Sequence, residues 1–255
     1  MLVVAVGVSF TGFGVWQLQR HDARMERNDL ALARMAAAPA DLAAVLAQAD
    51  AEGSGHLDRL AYRRVRVSGT FDPAFEVLRR PVSRDGMPGY HVVTPLVQAD
   101  GRAVLVERGW IPQELDRVPV AEAPPPAGEV TIEGWLFPTE RPPTGALASL
   151  APRDPAEGRL RTVAYVDDER LARQMPYDLE AAIVLYDPPP RAPGDRTLPL
   201  PPPRPEIGAG SHLGYAIQWF SFAFIAVVGY AALMRRVARD AAAEATTPAP
   251  GVSEG

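Results

Sequence analysis

The chain has 255 residues and a mass of 27.5 kDa, enough for one or two domains, and with 47% hydrophobic and 22% charged residues it cannot be disordered over most of its length. A net charge of -5 and a pI near 5.5 argue against a nucleic-acid partner, because phosphate binding needs a basic face. The absence of cysteine removes thiol catalysis, disulfides, Fe–S clusters and thiolate zinc sites.

The mean hydropathy of -0.07 would suit a soluble protein, yet the apolar residues crowd the two ends. Residues 1–19 carry no ionised side chain. At about 1.5 Å per residue they cover a hydrocarbon core of about 30 Å, and they predict a first transmembrane helix. A secretory signal peptide is the alternative, but it wants a basic start and a small-residue cleavage site, which Phe13-Gly14-Val15-Trp16-Gln17 does not offer. Residues 20–211 form the expected central α+β domain. Within it, 27–51 predicts a short helix, a break at Pro39, and a second helix capped by Asp41. Six runs, 62–70, 75–80, 90–97, 103–108, 130–137 and 160–166, cluster β-branched and aromatic residues and predict strands. Asp85-Gly86 and Asp100-Gly101 punctuate them as hairpin turns and favour antiparallel pairing. Pro124-Pro125-Pro126 separates two strand groups, residues 167–175 predict a short helix with Asp167 at its cap, and 183–186 predict a last strand.

Residues 188–205 are so rich in proline that they predict an extended spacer leading back to the membrane. A second transmembrane helix is expected over 212–234, followed by a disordered tail over 235–255. Arg235, Arg236 and Arg239 after it place the C-terminus in the cytoplasm; two spans then place Met1 there too, with the domain outside. Arg20, Arg24 and Arg27 after the first helix oppose that orientation. A basic leader lost to a late start codon would remove the conflict. The fold class expected is therefore a two-pass α+β membrane protein, its helices flanking a mainly antiparallel sheet or partial barrel with short helices.

Motifs for catalysis are lacking: there is no G-x-S-x-G elbow, phosphate loop or H-E-x-x-H. Asp167-Asp168-Glu169 reads as a helix N-terminus favoured by the dipole rather than as a metal site. A tethered hydrolase would rest on the presence of carboxylates alone. His56 and His91 read as surface or satisfied core residues, whereas His21 and His212 flank the two helices at the domain's side of the membrane, level with Arg20. Tyr215 and Trp219 follow His212 at i+3 and i+7 along one helical face. Gln218, an amide within the span, should face another helix or a ligand, although aromatic-belt anchoring explains Trp16, Tyr215 and Trp219 equally well.

Trp16-Gln17-Leu18-Gln19-Arg20, the run Val104-Leu105-Val106-Glu107-Arg108-Gly109-Trp110-Ile111-Pro112, and His212-Leu213-Gly214-Tyr215-Ala216-Ile217-Gln218-Trp219-Phe220 occur in that order, with Pro88-Gly89-Tyr90 and Thr94-Pro95 between them. In these the chain resembles the surfeit-locus cytochrome c oxidase assembly factors over nearly its whole length. The resemblance implies a non-enzymatic, two-pass protein of a bacterial inner (plasma) membrane, its domain in the periplasm and both termini cytoplasmic. The implied role is assistance with haem a delivery or insertion into the large subunit of cytochrome c oxidase, with a haem a synthesis enzyme and the lipid bilayer as further partners. By the same resemblance His212 is the expected ligand of the haem iron; from their own places on the two helices, His21 is expected as a second ligand, Arg20 as a propionate partner, and Tyr215 and Trp219 as lining the site. Glu107 and Ser211 stand where that family usually has Asn. An alternative is a clamp that holds the nascent subunit without haem, through Arg108, Gly109 and Trp110 as exposed anchors; its bland counterpart is a turn glycine beside a core tryptophan.

Overall fold

The computed structural model describes residues 2–53 and 59–246; His56 and positions 247–255 of the expected tail lie outside them. The chain divides into two compact units, one of residues 1–29 and 207–255 and one of residues 30–206.

The first unit is built from helix α1 (Leu2–Ala36) and the C-terminal helix, which is α4 in chain order (His212–Thr246). The helix expected over 1–19 does not stop there. Residues 20–36 contain no glycine or proline and are rich in Ala, Arg, Leu and Met, so α1 runs on to Ala36, and the separate short helix expected after residue 27 is its continuation. Likewise the alanine-rich stretch after the second span stays helical through Thr246, where a disordered tail was expected. Among the described residues one helix, over His212–Ala242, is long and apolar enough to cross a membrane, by length and composition.

The second unit is a β domain. Its elements are β1 (Ala40–Asp41), α2 (Leu42–Glu52), β2 (Arg64–Phe71), β3 (Val77–Arg84), β4 (Met87–Val97), β5 (Ala103–Pro112), β6 (Glu129–Pro138), β7 (Thr162–Val163), α3 (Asp168–Ala172) and β8 (Leu179–Tyr186). The expected caps are present: the Asp41 and Asp167 side chains accept from the backbone N–H groups of Ala44 and Arg170. The strand order is β1-β2-β6-β8-β5-β4-β3-β7, and β2 also pairs with β4 through Thr70–Val97 and Phe71–Leu96. That extra pairing closes β2, β6, β8, β5 and β4 into a five-stranded barrel.

The hairpins form where the turn residues predict them. Asp85 and Gly86 both have positive φ, 50° and 78°, as a two-residue β3–β4 turn requires. β1–β2, β3–β7 and β5–β8 are parallel, which the turn signals could not indicate, because each pair is joined by a long crossover or an intervening element. The strand expected over 160–166 shrinks to two residues. β2 shows why the barrel closes: Val65, Val67 and Phe71 are buried and alternate with outward Arg64, Arg66, Ser68 and Thr70. They meet Leu96, Val104, Val106, Ile132, Leu136 and Val184 in one core, with Leu42 and Val45 of α2 as its lid.

The proline-rich segment is not a free spacer. Leu200 exchanges both backbone hydrogen bonds with Trp110 at 2.8 Å, Pro201 O accepts from Arg84 at 2.7 Å, and Arg204 lies over the Trp135 ring at 5.9 Å. Proline removes donors, but a Leu flanked by prolines retains one N–H and one C=O, enough for a single bridge that straps the segment across the domain.

Candidate functional site

Two constellations carry polar chemistry, one in each unit. In the helix pair, Gly14 lets Phe220 approach the α1 backbone: a Cβ at Gly14 would lie 2.6 Å from the Phe220 ring. On the same helix pair Phe10 and Phe13 pack on Trp219 with ring centroids 5.5 and 5.0 Å apart, and Phe222 joins them. Where α4 begins, the half-buried His212 donates from Nδ1 to the Gln17 side-chain oxygen of α1 at 2.9 Å. In the neutral ring that bond commits the proton to Nδ1 and leaves the Nε2 lone pair for a ligand.

The other expected residues are placed unevenly. Arg20 is exposed and stacks over the Trp16 ring at 5.5 Å. His21 has a buried Nδ1 with no hydrogen-bond partner among the described residues. Trp219 sits in the aromatic cluster, whereas Tyr215 is 49% exposed and Gln218 is exposed too, so neither packs against α1. A helix turns about 100° per residue, and the face that meets α1 is the one carrying Ala216, Trp219, Phe220 and Ala223. Arg24 and Asn28 donate to Gly208 O at 3.0 and 3.2 Å and fasten the approach to α4. Gln17 is the residue whose part sequence reading missed, although an amide near the end of the charge-free run 1–19 was the available signal.

In the β domain, Arg108, Gly109 and Trp110 are not exposed anchors. Arg108 is 4% and Trp110 3% exposed, which removes the accessibility that the clamp reading requires of them. Arg108 donates to Glu76 at 2.7 Å, to Thr94 at 2.8 Å and to Ala123 O at 2.8 Å, and Glu76 is itself 2% exposed and accepts from Val120 N. Burial lowers the Arg108 pKa from its ordinary value, while the Glu76 charge works against that shift. A buried ion pair with every lone pair served is costly to break from one side, by roughly 3–5 kcal/mol. The glycines of the motifs have packing reasons. A Cβ at Gly89 would lie 2.4 Å from Trp110 Nε1, and one at Gly109, whose φ is 145°, would lie 2.2 Å from Leu200 O.

His91 is a satisfied core residue, as its bland reading predicts, and it opens the second constellation. Its Nδ1 lies 2.5 Å from Glu107 Oε1; Glu107 Oε2 accepts from Arg79 at 3.0 Å; Arg79 also pairs with Glu140. Burial opposes ionisation of Glu107, but His91 and Arg79 together outweigh it and hold the carboxyl below its ordinary value. Glu107, where the resembled family usually has Asn, thus supplies a charge that balances Arg79.

The SURF1 family model matches residues 4–224. The chain belongs to the SURF1 family. Among its relatives, a SURF1-like protein of Dictyostelium discoideum is 32% identical over 43% of this chain and 42% of its own length. A SURF1-like protein of Rickettsia felis is 26% identical over 92% of this chain and 97% of its own. The human Surfeit locus protein 1 is 27% identical over 54% of this chain and 49% of its own length. The three motifs read from the sequence lie inside the matched SURF1 range.

Proposed function

We propose that this SURF1 family protein assists assembly of a haem-copper cytochrome c oxidase by holding haem a beside its helix pair until the large oxidase subunit takes it. The observation that carries this reading is the hydrogen bond between His212 and Gln17, which leaves Nε2 of His212 as a free, oriented donor at the end of an apolar helix. The donor set fits the group: the His212 imidazole, a buried imidazole nitrogen on His21 without a hydrogen-bond partner among the described residues, and an exposed guanidinium on Arg20 able to pair with a carboxylate. Haem a, when bound, supplies the iron and the redox chemistry that the oxidase uses; the protein's own part is to hold, orient and release, without catalysis. Phe13, Trp219 and Phe10 offer an apolar wall below the histidine.

In this reading α1 and α4 both span a bacterial inner membrane, the β domain lies in the periplasm, and the large subunit and a haem a synthesis enzyme are the partners. A clamp without haem would have to work through surfaces other than Arg108 and Trp110, which are buried.

The test is the reduced-minus-oxidised absorption spectrum of the full chain purified in detergent from cells that make haem a. The expected result is a protein-bound haem a band that falls at least tenfold in His212→Ala. A featureless spectrum from well-folded protein, or an unchanged band in His212→Ala, overturns the ligand reading.

A further inference from the structure

The β domain holds a cavity of about 460 Å³ whose chemistry has no part in the reading above. Its walls come from β3, β5, β6 and β8, from Tyr62 before β2 and from the end of the proline-rich segment, and five of its residues set its character: Tyr62, Arg79, Glu107, Phe137 and Glu140. The Tyr62 and Phe137 rings meet edge to face, centroids 5.1 Å apart, and form an aromatic wall above Ile183 and Leu185. Opposite them Arg79 is shared between Glu107 and Glu140. Glu206 at the rim is exposed and has no ion-pair partner among the described residues.

The charges around the cavity therefore do not balance. Of the three lining carboxylates, Glu107 is served by His91 and Arg79 and Glu140 by Arg79, which leaves the Glu206 carboxylate without an ion-pair partner among the described residues. An anion entering the cavity would meet the excess of like charge. A cation would meet both carboxylates and aromatic rings among the lining residues, a combination that favours organic cations over hydrated metal ions. The volume lies within the range of about 300–1,000 Å³ usual for small-ligand sites, and the apolar floor accommodates a stem. We propose that this cavity binds an organic cation, a guanidinium or ammonium group carried on a short apolar stem. Such a group comes either from a free amine or from an arginine or lysine side chain of a polypeptide; the chemistry of recognition is the same.

The experiment titrates the full chain in detergent, with micelle blanks, against benzylammonium, benzyl alcohol and benzoate. Benzylammonium is expected to bind saturably and at least tenfold more tightly than its neutral and anionic counterparts. Glu206→Gln, at an exposed and unpaired side chain, and Tyr62→Leu are each expected to weaken it severalfold, whereas Tyr62→Phe keeps the ring and the affinity. End-blocked Leu-Arg-Leu, compared with the same peptide carrying citrulline, separates the sources: binding tighter than that of benzylammonium and lost with citrulline assigns a polypeptide, and binding no tighter assigns a free amine. Equal affinity for benzyl alcohol or benzoate, no saturable binding of benzylammonium, or indifference to both Glu206→Gln and Tyr62→Leu overturns the proposal. The site uses no residue of the helix pair, so its failure leaves the haem reading untouched.

Discussion

At the scale of single residues, the histidine of α4 is defined less by itself than by its partner. An imidazole with both nitrogens solvated exchanges its proton between them, whereas a hydrogen bond from Nδ1 to the Gln17 oxygen at 2.9 Å fixes one tautomer and one ring plane. Partners of this kind change metal affinity by about 10–100-fold when removed. Gln17→Leu should therefore lower haem a occupancy of the full chain at least tenfold and alter the band shape, because the ring loses its fixed orientation. Gln17→Glu, which keeps an acceptor at the same reach, should restore both. A Gln17→Leu protein with the occupancy and spectrum of the parent would show that the amide only bridges the helices. His212 stands out in the sequence by its place at the mouth of a charge-free run, and its proposed ligand role comes from the family resemblance. The part played by Gln17 was not legible there, because it depends on which face of α1 meets α4, and that is set by Gly14 against Phe220.

At the scale of elements, local signals predicted best where the structure is local. The Asp-Gly turns, the capping aspartates and the alternation of β2 all survive, since each rests on residues a few positions apart. The parallel pairs and the closure of β2 onto β4 join distant segments, and nothing in the separate runs encodes their meeting. The strap is the sharpest instance. Eighteen residues dominated by proline signal an extended chain correctly, but not where it docks; the decisive feature is Gly109, far away in β5, whose missing Cβ admits Leu200 O. Gly109→Ala would force a side chain into a φ of 145° and against a carbonyl 2.2 Å away. Strain of that kind costs about 1–3 kcal/mol before the lost bridge is counted. The variant should melt several degrees lower, and the strap should show faster amide exchange at Leu200 with the β2 and β6 amides unchanged. Slowed or unchanged exchange at Leu200 would mean that the bridge does not hold the segment.

At the scale of the whole molecule, the question is which parts lie on which side of a bilayer. α4 has the length and composition of a span, and three arginines, Arg235, Arg236 and Arg239, follow its most apolar part. Carrying an arginine to the centre of a bilayer costs roughly 2.5–3.5 kcal/mol on insertion scales, so in the proposed topology three together would keep this end on the side where the chain is made. In the proposed topology the β domain would lie on the opposite face, and α1, with no ionised side chain before Arg20, would return the N-terminus to the first side. A chain with no native cysteine makes the arrangement directly readable. Single cysteines in place of the exposed Glu114 in the domain, in place of the exposed Arg239 in α4, and ahead of Met1 can each be offered a membrane-impermeant maleimide in spheroplasts. Glu114→Cys should react at once, and the other two only after the inner membrane is opened. Early labelling of the cysteine ahead of Met1 would make α1 a helix that does not span and leave α4 the sole anchor; early labelling of Arg239→Cys would reverse the orientation and place the β domain in the cytoplasm, on the wrong side for the proposed hand-over.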